Sequence, residues 1–339
     1  MKILYAIQCT GNGHLSRAME VIPFLQKRGD LDILLSGSQS DLFFPYPVKY
    51  RFHGLSFIFG KKGGVDMFRT YLQMQSRKLI REINNLPVED YDIIINDFEP
   101  VSAWAAHRKK LPCIALSNQC TILSENIPKA KHRDFLGEMV LKYYAPSTSQ
   151  YGFHFASFDS NIYTPIIRRE VRNLNVTKQE HYTVYLPAYD DERLIKNLTK
   201  FPDVKWEVFS KHNKAPIREN NVFVRPIENE SFLKSMASCT GILCAAGFGT
   251  AAEALFLNKK LLVIPMKNQY EQHCNAAALK FLGLPVLKSL KKKHFSHLEE
   301  WIQNGKAAKM NYPDITDNII EEIFDNHFIG KQRPLKIIG

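Results

Sequence analysis

The chain has 339 residues, which is enough for two domains that each bury their own core. Its hydrophobic content of 45% and charged content of 23% are those of a soluble globular protein. No apolar run reaches the roughly 20 residues that a membrane span needs. The net charge of +11 favours an anionic partner, such as a phosphate, a nucleic acid or an acidic membrane surface. A basic surface can equally serve solubility alone.

The cysteines indicate the redox compartment. They form no CxxC pair, show no metal-ligand spacing and lie mostly in apolar segments, at Cys9, Cys113, Cys120, Cys239, Cys244 and Cys274. We expect reduced, buried thiols in a cytosolic protein. The first residues, MKILYAIQC, are too short for a signal-peptide core and carry no cleavage site, so we interpret them as a first strand.

The first half alternates buried strands with polar or helical sequence. After the strand ILYAIQC (3–9) comes the turn TGNGH, followed by a helical pattern that places Leu15, Ala18, Ile22 and Leu25 on one face. Further strands are predicted at LDILLS (31–36), YDIIIND (91–97) and PCIALSN (112–118). Strands that are apolar on both faces and separated by helices are typical of a doubly wound parallel sheet.

The second half repeats this pattern. Its predicted strands are YTVYLPA (182–188), WEVFS (206–210), NVFVRP (221–226), GILCAA (241–246) and KLLVIPM (260–266). We therefore predict an α/β protein with two facing Rossmann-like domains, at 1–163 and 182–312, and a cleft between them. The polar, basic stretch 164–181 is the predicted linker, and 313–339 is predicted to hold a last helix (317–326) that packs back on the first domain.

A glycine turn between two predicted strands, AAGFGTAAEAL (245–255), is the strongest candidate for a ligand site. Ligands of open α/β sheets bind at the carboxyl ends of the strands, and the amides at a helix start attract anions. Thr250 adds a hydroxyl donor, and Glu253 can accept hydrogen bonds from the two hydroxyls of a ribose. Glu271 and Gln272, at the next helix start, are suited to sugar hydroxyls. Together these groups fit a nucleotide-sugar.

The sequence of this turn also fits other kinds of site. Gly247-x-Gly249-x-x-Ala252 also fits a dinucleotide fingerprint, but that motif needs its acidic residue about 20 positions on, and Glu253 comes too early. The turn lacks the Gly-Lys-Ser/Thr of a P-loop. A purely structural glycine turn is the remaining alternative.

The stretch AAGFGTAAEALFLNKKLLVIPMKNQYEQHCNA resembles the donor-binding signature of GT-B glycosyltransferases. These are the UDP-sugar transferases of families 1 and 28, including the GlcNAc transferase that completes the lipid-linked peptidoglycan precursor. GNGH at 11–14 and DFEP at 97–100 also resemble a predicted branch of family 28. The resemblance is strong over 240–280 and looser elsewhere.

The resemblance implies a role for each matching position. The diphosphate would contact Gly247, Gly249 and Thr250, the ribose Glu253, the donor sugar Glu271 and Gln272, and the base Ile227. Two departures concern the phosphates: Ala245-Ala246-Gly247 replaces the frequent His-Gly-Gly, and LPAYDDE lacks the usual glycine-serine. We name Arg17 and Lys267 as candidates for neutralising the phosphates.

Transfer to an acceptor hydroxyl needs a base, and a histidine oriented by a carboxylate serves this purpose near pH 7. His14 ends the first loop and Asp97 ends another strand, so both are predicted to face the cleft. The enzymes of family 1 pair a histidine in this loop with an aspartate. Glu99 competes with Asp97 as the partner, and the turn residues Gly11, Gly13 and Arg17 are candidate phosphate or acceptor contacts.

No metal or other cofactor is expected, because the helix start at Gly247 would meet the leaving-group charge. The DLD (30–32) and DYD (90–92) motifs lead into strands, whereas a metal motif should follow one. His294 and His297 have the spacing of a helical metal pair but lie in a lysine-rich surface stretch.

The acceptor side is less specified. Residues 57–81 mix glycines, aromatic and basic residues, which fits an acceptor loop, a contact with an anionic membrane surface or an ordinary amphipathic helix with a basic face. Nucleic acid explains the charge less well, because no recognition motif accompanies it.

The sequence is thus interpreted as an inverting, metal-independent glycosyltransferase that moves a hexose or N-acetylhexosamine from a UDP-sugar to a cell-envelope lipid or glycan. We expect it in the cytoplasm, at the inner face of the membrane if the basic segment binds lipid. The rivals are a sugar-nucleotide epimerase of the same fold, a non-catalytic nucleotide-sugar-binding protein and, last, an NAD enzyme.

Overall fold

The N-terminal half is built on apolar segments whose side chains are buried on both faces, as in Ile3–Ile7, where every residue is fully buried. The computed structural model describes residues 1–37, 42–55, 77–131 and 134–328. Seven strands form one sheet here: β1 (Lys2–Gln8), β2 (Asp30–Ser36), β3 (Tyr50–Phe52), β4 (Ile93–Asp97), β5 (Ile114–Ser117), β6 (Ser149–Phe153) and β7 (Ile162–Tyr163). Their order is β3-β2-β1-β4-β5-β6-β7, and all pairs are parallel.

Helices lie between most of these strands, because parallel strands are joined by crossover connections that are usually helical. They are α1 (Asn12–Gln26), α2 (Arg77–Asn85), α3 (Pro100–Lys109) and α4 (Phe135–Tyr143). The apolar face of α1 is Leu15, Ala18, Val21, Ile22 and Leu25, all buried against the sheet. Because α1 begins directly after β1, its first turn lies at the carboxyl edge of the sheet.

The C-terminal half repeats the architecture with six strands. These are β8 (His181–Tyr185), β9 (Lys205–Ser210), β10 (Ile217–Glu219), β11 (Val222–Pro226), β12 (Gly241–Ala245) and β13 (Lys260–Ile264). Their order is β10-β11-β9-β8-β12-β13, and only the pair β10–β11 is antiparallel. The helices that follow are α6 (Asp191–Leu198), α7 (Asn229–Ser238), α8 (Phe248–Phe256), α9 (Tyr270–Phe281) and α10 (Phe295–Asn304).

Two segments join the halves. The connection between the sheets contains the short helix α5 (Arg169–Arg172), and Arg169 N–H donates to Glu20 of α1 at 3.1 Å. The last helix, α11 (Thr316–Phe328), packs against α1 of the N-terminal half. One buried apolar cluster also spans both halves, with the rings of Phe155 and Phe248 5.1 Å apart.

The predicted fold class is confirmed, and all nine predicted strands are present with ends shifted by up to three residues. Four strands were not predicted: β3, β6, β7 and β10. They are short edge or near-edge strands without an apolar run, and all three residues of β10 are exposed. Such strands form because a neighbouring strand has free backbone N–H and C=O groups to pair with. This pairing needs no apolar run, so the sequence pattern does not reveal it.

The basic segment predicted at 57–81 lies outside the described residues as far as position 76. Residues 77–81 begin α2, where Leu79 and Ile83 are buried while Arg77, Lys78 and Arg81 are exposed. Within the parts of the chain that the structure describes, no helix is long and apolar enough to cross a bilayer. All six cysteines are unpaired, and five of them are buried.

Candidate active site

The carboxyl edges of the two sheets face each other. Asn118, just after β5, donates from Nδ2 to Glu271 Oε1 in the first turn of α9, at 3.0 Å. The residues predicted for catalysis lie at one edge and those predicted for the donor at the other, so both groups line the same cleft.

His14 and Asp97 are in contact. His14 Nδ1 lies 2.7 Å from Asp97 Oδ1, and the His14 side chain is 12% exposed while Asp97 is fully buried. An ionised carboxylate only accepts hydrogen bonds, so Nδ1 carries the proton in the neutral ring, and the lone pair of that tautomer is on Nε2. Nε2 is the atom turned away from Asp97 and is therefore the one that can take a proton from a ligand.

Arg17 is the second partner of Asp97. Its Nη2 lies 2.5 Å from Asp97 Oδ1, and its Nε lies 3.1 Å from Oδ2. Burial alone would raise the pKa of Asp97, but the charge of Arg17 and the bond from His14 hold that pKa below its ordinary value of 3.8. Asp97 thus stays ionised, and the charge of Arg17 is already balanced within the protein.

The structure separates the two candidate carboxylates, Asp97 and Glu99. Glu99 caps α3: its oxygens accept from the N–H groups of Val101 and Ser102 at 2.7 and 2.6 Å. Burial raises the pKa of Glu99, and it makes no bond to His14 among the described contacts. Phe98 between them has φ of 54°, a left-handed conformation that is strained for a bulky residue and turns the two carboxylates apart.

Asn118 and Gln119 complete a ring of polar contacts that the sequence analysis did not predict. Gln119 Nε2 lies 3.3 Å from Glu271 Oε2 and 3.4 Å from His14 Nε2. Asn118 accepts from Arg17 Nη1 at 3.3 Å. We call this set the cleft ring; its members in order are His14, Asp97, Arg17, Asn118, Glu271 and Gln119. Of the cleft ring, only Glu271 comes from the C-terminal half of the chain, so one carboxylate connects the two halves of the site.

The glycine turn forms the start of α8. A side-chain carbon placed on Gly247 or Gly249 would meet no neighbouring atom within 4 Å, and Gly247 has an ordinary φ of −68°. Neither crowding within the protein nor backbone conformation therefore requires glycine at Gly247. Thr250 is half-buried in the first turn of the helix.

The glycines of the first loop, Gly11 and Gly13, also lie next to open space. A Cβ on Gly11 or Gly13 would also have no neighbour within 4 Å, but φ of 97° at Gly11 needs glycine for conformational reasons. Both glycines lie within three residues of His14, which leaves space beside that side chain.

Glu253 has a partner inside the protein. Arg168, from the connection between the sheets, donates from Nε to Oε1 at 2.6 Å and from Nη2 to Oε2 at 2.9 Å. Arg168 also donates to Asn229 Oδ1 at 3.0 Å. Asn229 is the first residue of α7, which follows β11. Each carboxylate oxygen can accept two bonds, so one lone pair on each oxygen of Glu253 is not used by Arg168.

The other predicted donor contacts differ in their availability. Gln272 is buried and its Oε1 accepts from Met266 N–H at 2.9 Å, so its side chain holds the loop before α9. The N–H of Ile227 donates to Ser210 at 2.8 Å. Lys267 is exposed in the loop after β13.

A cavity of about 760 Å³ lies close to His14 and Asp97, between the sheet and helices α3 and α4. Its walls combine aromatic and charged groups, among them Phe98, Trp104, Lys129, Glu138 and Tyr270. The ring of Phe98 stacks on that of His14 with centroids 6.5 Å apart, and Phe98 also lines the cavity, so the cavity begins next to the ring that contacts His14.

Two Rossmann-like domains with a cleft that joins a histidine–aspartate pair to a glycine-rich helix start define a glycosyltransferase of GT-B architecture. The sequence matches the family described as Glycosyl transferase family 1 over residues 1–304, and the chain belongs to that family. It is therefore a glycosyltransferase. The narrower resemblance to a branch of family 28 stays a prediction.

Solved structures with this fold have low sequence identity to the chain. UGT2 of Phytolacca americana, solved with UDP-2-fluoro-glucose and pterostilbene, is 12% identical with a TM-score of 0.58, covering 96% of this chain and 94% of its own. MurG of Acinetobacter baumannii is 14% identical with a TM-score of 0.54, covering 95% and 99%. SnogD of Streptomyces nogalater is 11% identical with a TM-score of 0.51, covering 95% and 99%. No curated protein matches the sequence.

Proposed function

We propose that this glycosyltransferase is inverting and metal-independent, and that it moves a hexose or N-acetylhexosamine from a UDP-sugar to a hydroxyl group of a cell-envelope lipid or glycan. The observation that carries the proposal is the open space above Gly247 and Gly249 at the start of α8. Neither crowding nor φ requires glycine at Gly247, and the missing side chain leaves room for the close approach of a ligand. An anionic diphosphate matches the amides and dipole of that helix start.

The donor would extend from this point along the edge of the C-terminal sheet. The diphosphate would bind Gly247, Gly249 and Thr250, the ribose hydroxyls would share Glu253 with Arg168, and the sugar would meet Glu271. Ile227 would lie near the base. The solved complex of UGT2 with UDP-2-fluoro-glucose supports a UDP-sugar as the donor.

The reaction would follow from the geometry of the catalytic pair. His14 Nε2 takes the proton of the acceptor hydroxyl, and the acceptor oxygen bonds to the anomeric carbon from the face opposite the diphosphate. The bond between that carbon and the phosphate oxygen breaks, and UDP leaves with the electron pair. Asp97 stabilises the imidazolium that forms, as its ionised state allows.

The cavity behind Phe98 supports an acceptor with an apolar portion, because aromatic walls suit such a group. A cell-envelope lipid or glycan and a location at the inner face of the cytoplasmic membrane fit this cavity and the net charge of +11. Acceptor profiling with lipid-linked and soluble glycans tests this part separately.

The test of the donor is a thermal-stability screen of UDP, GDP, ADP, NAD and a panel of nucleotide-sugars, followed by product analysis. Selective stabilisation by UDP and a UDP-sugar, with inverted stereochemistry in the transferred product, is the expected result. Equal stabilisation by all nucleotides, or by none, would refute the donor assignment. Turnover of the donor to an isomeric sugar without an acceptor would indicate an epimerase, and binding without turnover a non-catalytic protein.

A further inference from the structure

Tyr270 brings the C-terminal half of the chain into the wall of the cavity near His14. It is the first residue of α9 and directly precedes Glu271. Among the described residues that line this cavity, Tyr270 alone comes from the C-terminal half, since all the others lie between Asn96 and Gln150. The cavity proposed for the acceptor thus includes one residue of the half proposed to hold the donor.

Helix α4 of the N-terminal half holds the side chain of Tyr270 closely. A side-chain carbon placed on Gly137 would lie 2.5 Å from Tyr270 Cβ and 2.9 Å from its Cγ, which leaves no room for it. Gly137 is the third residue of α4, and glycine inside a helix costs about 0.5–1 kcal/mol relative to alanine. The close approach of Tyr270 accounts for glycine at this position.

Two further contacts fix the side chain of Tyr270. Its hydroxyl group donates to Glu138 Oε1 at 3.0 Å, and Glu138 also lines the cavity. Its ring packs with Ile122 and Cys274 in a small buried apolar cluster. The next residue along the chain is Glu271, the carboxylate that joins the cleft ring across the two halves. A shift of the ring of Tyr270 therefore acts on the residue beside it.

We propose that Tyr270 is a specificity-determining residue of the acceptor cavity and that it links acceptor binding to the position of Glu271. An apolar group of the acceptor that contacts the ring holds it against Gly137, and Glu271 is then held where the donor sugar is proposed to lie. The inference rests on the proposed function, since it assigns the cavity to the acceptor and Glu271 to the donor sugar. Because coupling between two sites is reciprocal, a bound donor sugar strengthens acceptor binding by the same factor.

The experiment uses n-octyl β-glucoside, below its micelle concentration, as the acceptor probe, because it joins an alkyl chain to a hexose. Calorimetry measures its binding to the protein alone, with UDP, and with the 2-fluoro analogue of the preferred UDP-sugar, a donor that resists transfer. Tyr270→Phe keeps the ring and removes the hydroxyl group, whereas Tyr270→Ala removes the ring. Phe281→Ala is the matched control, because Phe281 ends the same helix and is 71% exposed.

In the parent, the 2-fluoro analogue should tighten the binding of octyl glucoside about fivefold to tenfold, and UDP should not, since UDP has no sugar to meet Glu271. Tyr270→Ala should bind octyl glucoside about tenfold more weakly and lose this coupling, while its affinity for UDP stays that of the parent. Tyr270→Phe should keep both properties within about twofold. Gly137→Ala displaces the ring without removing it and should also lose the coupling.

Octyl glucoside binding that is equal in Tyr270→Ala and the parent, or absent from both, would overturn the inference. An equal loss of affinity for UDP and octyl glucoside would also overturn it, because it would assign Tyr270 a structural role. Equal tightening by UDP and by the 2-fluoro analogue would contradict the link to Glu271. A parent protein that binds no nucleotide would refute the proposed function itself, and the comparison without nucleotide would still show whether the cavity depends on Tyr270.

Discussion

Arg168 and Glu253 form a two-point ion pair, with Nε 2.6 Å from Oε1 and Nη2 2.9 Å from Oε2. The pair joins the connection between the sheets to the helix that begins at the glycine turn. The carboxylate proposed to bind ribose is thus held in one orientation before any ligand arrives. A held carboxylate binds a ligand with less loss of side-chain freedom than a mobile one.

The first prediction concerns this pair. UDP at about 100 times its Kd should stabilise the parent by about 2.7 kcal/mol. Glu253→Ala should abolish that effect, but it also removes the two-point carboxylate partner of the half-buried Arg168, which lowers stability by itself. The double variant Arg168→Met/Glu253→Met removes both charges and should fold without a thermal shift on UDP addition. A double variant that still responds to UDP like the parent would remove Glu253 from the donor site.

Gly249 allows a prediction in which stability and binding change in opposite directions. Gly249→Ala adds a methyl group in open space and improves helix propensity, so the protein should gain about 0.5–1 kcal/mol of stability. The same methyl group should block the close approach of the diphosphate and weaken UDP binding about tenfold or more. Thermal unfolding with and without UDP measures both effects. If Gly249→Ala bound UDP as tightly as the parent, the glycine turn would have a structural role only.

His14→Ala should separate binding from chemistry. The Asp97–Arg17 pair remains when the imidazole is removed, so the variant should fold and bind UDP like the parent. Loss of the base should lower kcat by about 10²–10⁴-fold. Steady-state kinetics with a fixed UDP-sugar measure this, and parental turnover would exclude His14 as the base.

Asp97→Asn should impair both catalysis and stability, since Asp97 orients His14 and neutralises Arg17. We expect kcat to fall by about 10³-fold or more and unfolding free energy to fall by about 3 kcal/mol. Folding lowers the pKa of Asp97 below its ordinary value of 3.8, so ionised Asp97 contributes its full stabilisation of the folded protein above pH 3.8. This contribution is lost as the pH falls through the lower pKa that Asp97 has in the folded state. Acid unfolding of the variant should lack this contribution.

Glu99→Gln is the matched control for Asp97→Asn, because Glu99 is equally buried and two residues away. It weakens the cap of α3 and should reduce stability without a comparable loss of kcat. An equal kcat loss in both variants would argue that Asp97 acts only through the fold.

His154 makes the stability depend on pH. Burial, with a smaller contribution from Lys129, lowers its pKa to about 3, so the folded protein keeps it neutral. The unfolded chain takes up a proton near pH 6.5, and stability therefore falls as pH drops below that value. Between pH 7.5 and 5.5 the free energy of unfolding should fall by about 1.4 kcal/mol through His154.

His154→Asn tests this effect, because Asn keeps an acceptor near the Phe155 N–H that His154 Nδ1 now accepts, at 3.0 Å, but does not titrate. Denaturant unfolding at the two pH values should show a smaller pH dependence in the variant. The same pH dependence in both proteins would contradict the buried neutral state.

Much of the fold follows from local sequence. Strands such as Ile3–Ile7 are continuous apolar runs, and only a sheet covered on both faces buries all of their side chains. The turns at Gly11 and Gly247 follow these runs directly. His14 and Glu271 could therefore be assigned to the cleft without knowledge of the packing.

Only the tertiary structure decided which groups meet. Arg168 lies 85 positions from Glu253, and Asn118 lies 153 positions from Glu271. Asp97 and Glu99 have similar chemistry and nearly the same position, and they differ because the left-handed turn at Phe98 directs one to His14 and the other to a helix start. Sequence periodicity reports the environment of each residue along its own element. Contacts between distant carboxylates, amides and guanidinium groups depend instead on how the sheets are ordered and how the two domains approach each other.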